Sequence, residues 1–321
     1  MRRAKYLLSL IVLSISLMAC SSGAGLTGEG NSSSGGESSV EAEAKGAKGS
    51  RDNRIRVLEP RAGGTEVYGN VDASIDASNA ADGYVMVKYT GSASKVRMLI
   101  ETPAQNTYNY LMDLDGEYAV YPLSEGSGTY KIGVYENLHD DQYAAAFTQS
   151  VSVTLKDEYS MFLYPNAYVD FDIKSAAVKK GQELAASADS DLDVVNAVYH
   201  YITKNISYDY DKAETVQSGY IPVVDETLAS GTGICFDYAS LMGAMLRSQG
   251  IPTRLEIGYA GTEYHAWISV YTKETGWIDN VIQFNGTDWT LMDPTLGSYA
   301  SDKTVKQYRE DDTYYQLKYK Y

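Results

Sequence analysis

Three residue types that cooperate in covalent acyl transfer occur in order along one part of the sequence. Cys235 lies in Gly231-Thr232-Gly233-Ile234-Cys235-Phe236-Asp237-Tyr238-Ala239. His265 lies in Glu263-Tyr264-His265-Ala266-Trp267, and Asp293 in Trp289-Thr290-Leu291-Met292-Asp293-Pro294-Thr295. A thiolate can attack a carbonyl carbon, an imidazole can carry the proton, and a carboxylate can orient that imidazole. The only cysteines are Cys20 and Cys235, and the only histidines are His139, His200 and His265. A disulfide framework or a multi-cysteine zinc site therefore cannot be built, and neither metal nor cofactor is expected.

The surrounding pattern indicates the elements that would carry these residues. Cys235, Ala239, Met242 and Leu246 share one helical face, and Gly250 and Pro252 supply the stop. Cys235 then begins a helix after a Gly-rich turn, where unpaired N–H groups and the macrodipole favour a thiolate and can hold an oxyanion. A lone cysteine is often just a small buried hydrophobe. A thiol retained without a partner in an exported chain instead suggests use. The Gly231-Thr232-Gly233 turn lacks the Lys-Ser/Thr ending of a phosphate cradle. Downstream, Tyr264, Ala266, Ile268 and Val270 form one strand face and His265 and Trp267 the other, while Asp293 shares a face with Leu291 and Trp289. Upstream, Val195, Val198, Ile202 and Ile206 have helical spacing behind Asp191 and Asp193. His200 falls inside that helix and reads as structural. A Tyr-rich loop follows through Tyr208, Tyr210 and Tyr220.

These three motifs resemble those of the transglutaminase-like superfamily, the papain-like cysteine acyltransferases and proteases. Their separations, 30 residues from Cys235 to His265 and 28 from His265 to Asp293, also fit. The resemblance covers about 174–300. It implies an α+β core in which the Cys-bearing helix packs on an antiparallel sheet, and a catalytic triad of Cys235, His265 and Asp293. It further implies a thioester intermediate, with the backbone N–H of Cys235 and a second donor, for which Tyr208 is the candidate, holding the oxyanion. Water as acceptor would make a protease or deamidase, and a lysine amine a transglutaminase. Trp267, Trp277, Tyr238 and Tyr259 are candidates for an aromatic groove wall or for core.

The first part of the chain has a different character. Arg2, Arg3 and Lys5 precede an apolar run from Tyr6 to Met18, too short for a membrane span of roughly 20 apolar residues and arranged as a secretory signal. The ending Leu17-Met18-Ala19-Cys20 resembles the lipobox of bacterial lipoproteins, which implies cleavage before Cys20 and its acylation. A plain signal peptide with an incidental cysteine is the simpler alternative. Residues 21–53 hold Leu26 and Val40 as their only large apolar side chains, so they read as a flexible spacer. From 54 to 157 the pattern is period two: Val85, Val87 and Tyr89; Val96, Met98 and Ile100; Tyr108, Tyr110 and Met112; Tyr130, Ile132 and Val134; Val151, Val153 and Leu155. Gly- and Asp-rich turns punctuate these runs, as in an antiparallel β-sandwich, and Gly128-Thr129-Tyr130-Lys131-Ile132-Gly133-Val134-Tyr135 resembles a late strand of an immunoglobulin-like domain. His139, in Leu138-His139-Asp140-Asp141, reads as a solvated hairpin tip. The expected layout is thus 1–19 signal peptide, 20–53 lipidated Cys20 and linker, 54–157 β-sandwich module, and 158–321 transglutaminase-like domain.

The formal net charge is −15, and becomes −18 once Arg2, Arg3 and Lys5 are removed. Such an excess disfavours nucleic acid as a partner. The expected protein is extracytoplasmic and lipid-anchored, touching the membrane through that anchor only. Its expected substrate is a protein or peptide amide, cell-wall peptide included. The rival reading is a non-catalytic surface binding module that keeps the fold. Tyrosine supplies 29 of the 321 residues, which suits half-buried sheets whose hydroxyls stay hydrated. The segment 301–321 reads either as a last strand or as a polar tail.

Overall fold

The computed structural model describes residues 48–278 and 315–321, together with the backbone of two short strands at Ile282–Phe284 and Trp289–Leu291. The signal sequence, Cys20, nearly all of the spacer and Asp293 lie outside the described residues.

The period-two runs become strands. They are β1 (Val67–Gly69), β2 (Ala73–Asp76), β3 (Tyr84–Tyr89), β4 (Val96–Glu101), β5 (Thr107–Leu111), β6 (Ala119–Pro122), β7 (Gly128–His139) and β8 (Gln142–Val153). They form two four-stranded antiparallel sheets, ordered β1-β2-β3-β6 and β5-β4-β7-β8. Ile75, Val85 and Val87 of the first and Met98, Ile132 and Val134 of the second belong to one buried apolar cluster. Burying each such side chain contributes about 1.5–3 kcal/mol. His139 is exposed at the end of the β7–β8 hairpin, as its composition suggests.

After this β-rich region the chain is helical: α1 (Ala176–Leu184), α2 (Asp191–Asn205), α3 (Tyr210–Thr215), α4 (Val224–Ser230) and α5 (Cys235–Arg247). Ser190 caps α2 by accepting from the Asp193 N–H, and Asp193 accepts from the Ser190 N–H at 2.9 Å. Val195, Val198, Ile202 and Ile206 are buried. His200 instead lies on the exposed side of α2, its ring edge-on to Tyr199. α5 differs from the single stripe that its spacing predicts, because every residue from Asp237 to Arg247 is buried. It is a central helix, with α1, α2 and α4 against it and the strands β11 (Thr253–Ala260) and β12 (Glu263–Thr272) on its other side.

Those two strands belong to an antiparallel sheet ordered β13-β12-β11-β16, with β13 at Gly276–Ile278 and β16 at Tyr315–Lys320. Tyr315–Lys320, the described part of the final segment, is therefore a strand, paired to β11. Two very short strands, β9 (Ser207–Tyr208) and β10 (Thr232–Gly233), pair in parallel ahead of α5. Ile282–Phe284 (β14) and Trp289–Leu291 (β15) pair with each other.

Arg247, fully buried at the end of α5, fastens this assembly. Its guanidinium donates to the carbonyls of Thr253 at 2.8 and 3.0 Å, Tyr164 at 2.7 Å and Tyr321 at 2.7 Å. Burial pushes its pKa down to about 9, which leaves it charged at neutral pH. The N-terminal described residues meet the same turn. Arg51 donates to the Gln249 carbonyl at 2.8 Å and to Asp191 at 2.6 Å, and the Arg56 N–H donates to the Ser248 carbonyl at 2.8 Å. Residues 49–53, spacer-like in composition, thus lie along the helices, with the Gly49 N–H on the Ala186 carbonyl.

Tyrosines join the β-rich region to the core. Tyr108 of β5 packs edge-on to Tyr319 and Tyr321, and Tyr110 stacks on Tyr168, which in turn meets Tyr321 and Phe236. The two β5 hydroxyls differ. That of Tyr108 donates to Glu125 at 2.6 Å and accepts from the Lys320 N–H at 3.1 Å, whereas that of Tyr110 is buried without a partner among the described residues. Tyr108→Phe is therefore expected to lose about 1.5–3 kcal/mol of stability, with Tyr110→Phe neutral or stabilising by about 1 kcal/mol. Denaturant unfolding of the two variants measures this contrast.

Candidate functional site

The approach to Cys235 is built from backbone. Gly231 ends α4 in the left-handed region at φ 66°. The Ser207 N–H then bonds the Gly231 carbonyl at 2.8 Å, and the Asp209 N–H bonds the Gly233 carbonyl at 2.9 Å. This ladder sets the chain so that Ile234 is the N-cap and Cys235 the first residue of α5. Cys235 is a free thiol, half-buried. The first helical bond at this end runs from the Tyr238 N–H to the Ile234 carbonyl, and the N–H groups of Cys235, Phe236 and Asp237 have no partner among the described residues.

Asp237, wholly buried in the first turn, holds this end in place. Its Oδ2 accepts from the Ile234 N–H at 2.8 Å and from Lys212 Nζ at 2.7 Å, and its Oδ1 accepts from the Tyr220 hydroxyl. Lys212 also donates to the Tyr220 oxygen at 2.7 Å. Gly233 makes room for this: a Cβ there would stand 2.7 Å from Asp237 Cβ. Burial alone would lower the Lys212 pKa, but the bonds to Asp237 and Tyr220 raise it, and burial together with Asp237 raises that of Tyr220. Sequence spacing did not reveal this trio. Asp237 is visible as an acid three residues past an N-cap, but Lys212, in the short helix α3, and Tyr220 fall in a polar stretch of sequence with no periodicity to mark them.

β12 brings His265 to the same end of the molecule. Its register sets His265 opposite Gly258, where a Cβ would collide with the Gln316 carbonyl at 2.0 Å. Tyr264, one residue earlier, is 59% exposed, and the Cys235 thiol is among the groups acting electrostatically on its hydroxyl. α5 and β12 pack against each other. Ala266 and Ile268 belong to the core cluster that includes α5, whereas the His265 ring stacks toward Trp267 at 6.4 Å, on the other side of the strand.

The remaining sequence candidates are distributed as follows. Asp293 falls two residues after β15 and outside the described residues. Tyr208 pairs in register with Gly233, two residues before Cys235, and its ring lies 6.4 Å from Tyr238. Tyr238 and Trp267 are core, so neither walls a groove. Trp277 is engaged by Arg254, whose guanidinium carbon sits 3.4 Å from its ring centre. Tyr264 at the start of β12 and Tyr259, opposite it near the end of β11, are exposed, their ring centres 5.5 Å apart. Among the described residues no group of three or more His, Cys, Asp or Glu side chains could hold a metal ion, and no helix is long and apolar enough to cross a membrane.

Removing the Lys212 ammonium would leave Asp237 buried with one fewer partner. Lys212→Met is expected to cost about 2–3 kcal/mol in denaturant unfolding. Because the folded pKa of Lys212 is raised, its contribution is fully present below the ordinary value of 10.5 and lost only as pH climbs above it. The difference between wild type and Lys212→Met should accordingly be constant from pH 7 to 9 and shrink in stronger alkali; a difference that shrinks toward neutral pH would contradict the ion pair.

Residues 178–280 match the family model of the transglutaminase-like superfamily, so this part of the chain is a transglutaminase-like domain. The uncharacterized protein YebA of Bacillus subtilis is 27% identical over 53% of this chain and 27% of its own length. The UPF0252 protein MJ1282 of Methanocaldococcus jannaschii is 25% identical over 45% of this chain and 40% of its own length. The chain thus spans less than half of either relative. A solved structure from Cytophaga hutchinsonii, described as a candidate cysteine protease, aligns over 72% of this chain and 69% of its own at 15% identity and a TM-score of 0.33.

Proposed function

We propose that the transglutaminase-like domain is a thiol acyl-transfer enzyme acting on amide bonds of protein or cell-wall peptide. Cys235 is the nucleophile, His265 the acid and base, and Asp293 the group that orients His265. One observation carries this reading: a free, half-buried thiol begins α5 beside three unpartnered amide N–H groups. Those groups suit both a thiolate and a developing oxyanion.

The Cys235 thiolate adds to the carbonyl carbon, and the carbonyl electron pair moves to oxygen, held by the Cys235 N–H and by Tyr208. As the oxyanion collapses the C–N bond breaks, His265 hands a proton to the departing amine, and a thioester remains. Water or a lysine amine then adds to the thioester, gives a proton to His265 and expels the thiolate. Cys20, acylated, anchors the chain to the outer face of the cell membrane, and the β-rich region is an immunoglobulin-like sandwich.

Mass spectrometry of the protein incubated with a glutamine-donor peptide tests the chemistry. An acyl adduct on the Cys235 peptide, discharged by hydroxylamine, is expected. Cys235→Ala should form none, and His265→Ala should slow turnover by roughly 10²- to 10⁴-fold. Wild type that is indistinguishable from Cys235→Ala on every amide would leave the binding-module reading. The anchor is tested separately: Cys20→Ala should leave the membrane fraction with activity intact, and a variant that stays there would refute lipidation.

A further inference from the structure

A groove of about 650 Å³ runs between the β-rich region and the segment that leads into α4. Four consecutive residues, Tyr118, Ala119, Val120 and Tyr121, line it. Side chains alternate between the faces of a strand, so consecutive residues share one wall only along a strand edge. β6 is such an edge, last in the order β1-β2-β3-β6. The Leu123 N–H bonds the Gly83 carbonyl at 2.8 Å, and the register continues through Tyr121 opposite Val85 and Ala119 opposite Val87. Antiparallel pairs alternate, so Ala119 and Tyr121 turn their backbone groups to β3 while the Val120 N–H and C=O face outward. Neither outward group has a partner among the described residues.

The opposite wall holds a second unused donor. Asn166 is only 6% exposed; its Oδ1 accepts from the N–H groups of Tyr168 and Val169 at 3.0 and 3.1 Å, and its Nδ2 is buried without a partner among the described residues. Leu111, Ile221 and Val223 give the groove an exposed apolar rim. Its charges all have one sign: Asp113, Asp170, Asp172 and Asp225, with no Lys, Arg or His among the residues lining it. Asp225 and Asp172 are engaged by backbone N–H groups at the start of α1. Asp113 and Asp170 remain for a ligand.

We propose that this groove binds an extended peptide bearing basic side chains, added as a strand to the edge of β6. Val120 supplies the ladder bonds, Asn166 donates to a carbonyl of the peptide, and Asp113 and Asp170 select lysine or arginine over acidic residues. The site does not rest on the chemistry of Cys235. It lies beside the segment that carries Tyr220, the partner of Asp237.

The test is fluorescence anisotropy with labelled eight-residue peptides, using the full chain as Cys235→Ala so that no probe is turned over. An alternating Lys-Val peptide is expected to bind, more weakly as salt rises. Its Glu-for-Lys counterpart, and the same Lys-Val sequence with alternate backbone nitrogens methylated, should each bind at least about ten-fold more weakly, the effect of roughly 1.4 kcal/mol. Asp113→Asn combined with Asp170→Asn, both on exposed positions, should weaken the Lys peptide similarly while leaving thermal unfolding unchanged. Equal binding of Lys and Glu peptides, undiminished binding of the methylated peptide, or no binding of the Lys peptide would each overturn the proposal.

Discussion

A buried cation held by main-chain oxygens organises this protein. Arg247 lies in the core and, among the described residues, donates to the main-chain oxygens of Tyr164, Thr253 and Tyr321. An unpaired charge in that position would be costly, and the hydrogen bonds offset the cost by using planar donors that fit several strands at once. Each carbonyl belongs to a different stretch of chain, so those stretches cannot take other positions without leaving the guanidinium dry. The connector before α1, the start of β11 and the end of β16 are therefore tied to one point, and α5 is held at its C-terminal end.

The other end of the same helix obeys a different rule. There the need is to leave amides unpaired beside a sulfur while keeping the helix from fraying. Asp237 satisfies the Ile234 N–H and, through Lys212 and Tyr220, connects the first turn to the preceding loop. One carboxylate secures the turn without touching the N–H groups of Cys235, Phe236 and Asp237. Rigidity and open donors therefore coexist at one helix terminus.

Local patterns made much of this legible. The alternation at Val96, Met98 and Ile100 and the spacing of Val195, Val198, Ile202 and Ile206 both correspond to buried faces, because one buried side forces a period. Long-range pairings left no such mark. Tyr315–Lys320 looks equally like a tail until β11 is present to pair with it. The sequence marks α5 by a single stripe, although the helix is enclosed on all sides, since periodicity cannot register a second buried face. At the site, Cys235 and His265 were visible from their motifs. Lys212 and Tyr220 were not, as their bonds to Asp237 follow from how the polar stretch folds back over the first turn of α5 and not from their own neighbours in the chain.

The path of the chain has a mechanical consequence. Residues 49–56 are bonded to the helices through Ala186, Asp191, Ser248 and Gln249 before the chain leaves to build the β-rich region and returns. Tension applied ahead of Lys48 would load the turn after α5 in shear, across Arg51 and Arg56, and would bypass the two β sheets. The β-rich region then lies off that line of force, while the thiol sits at the far end of α5 from the point of pull.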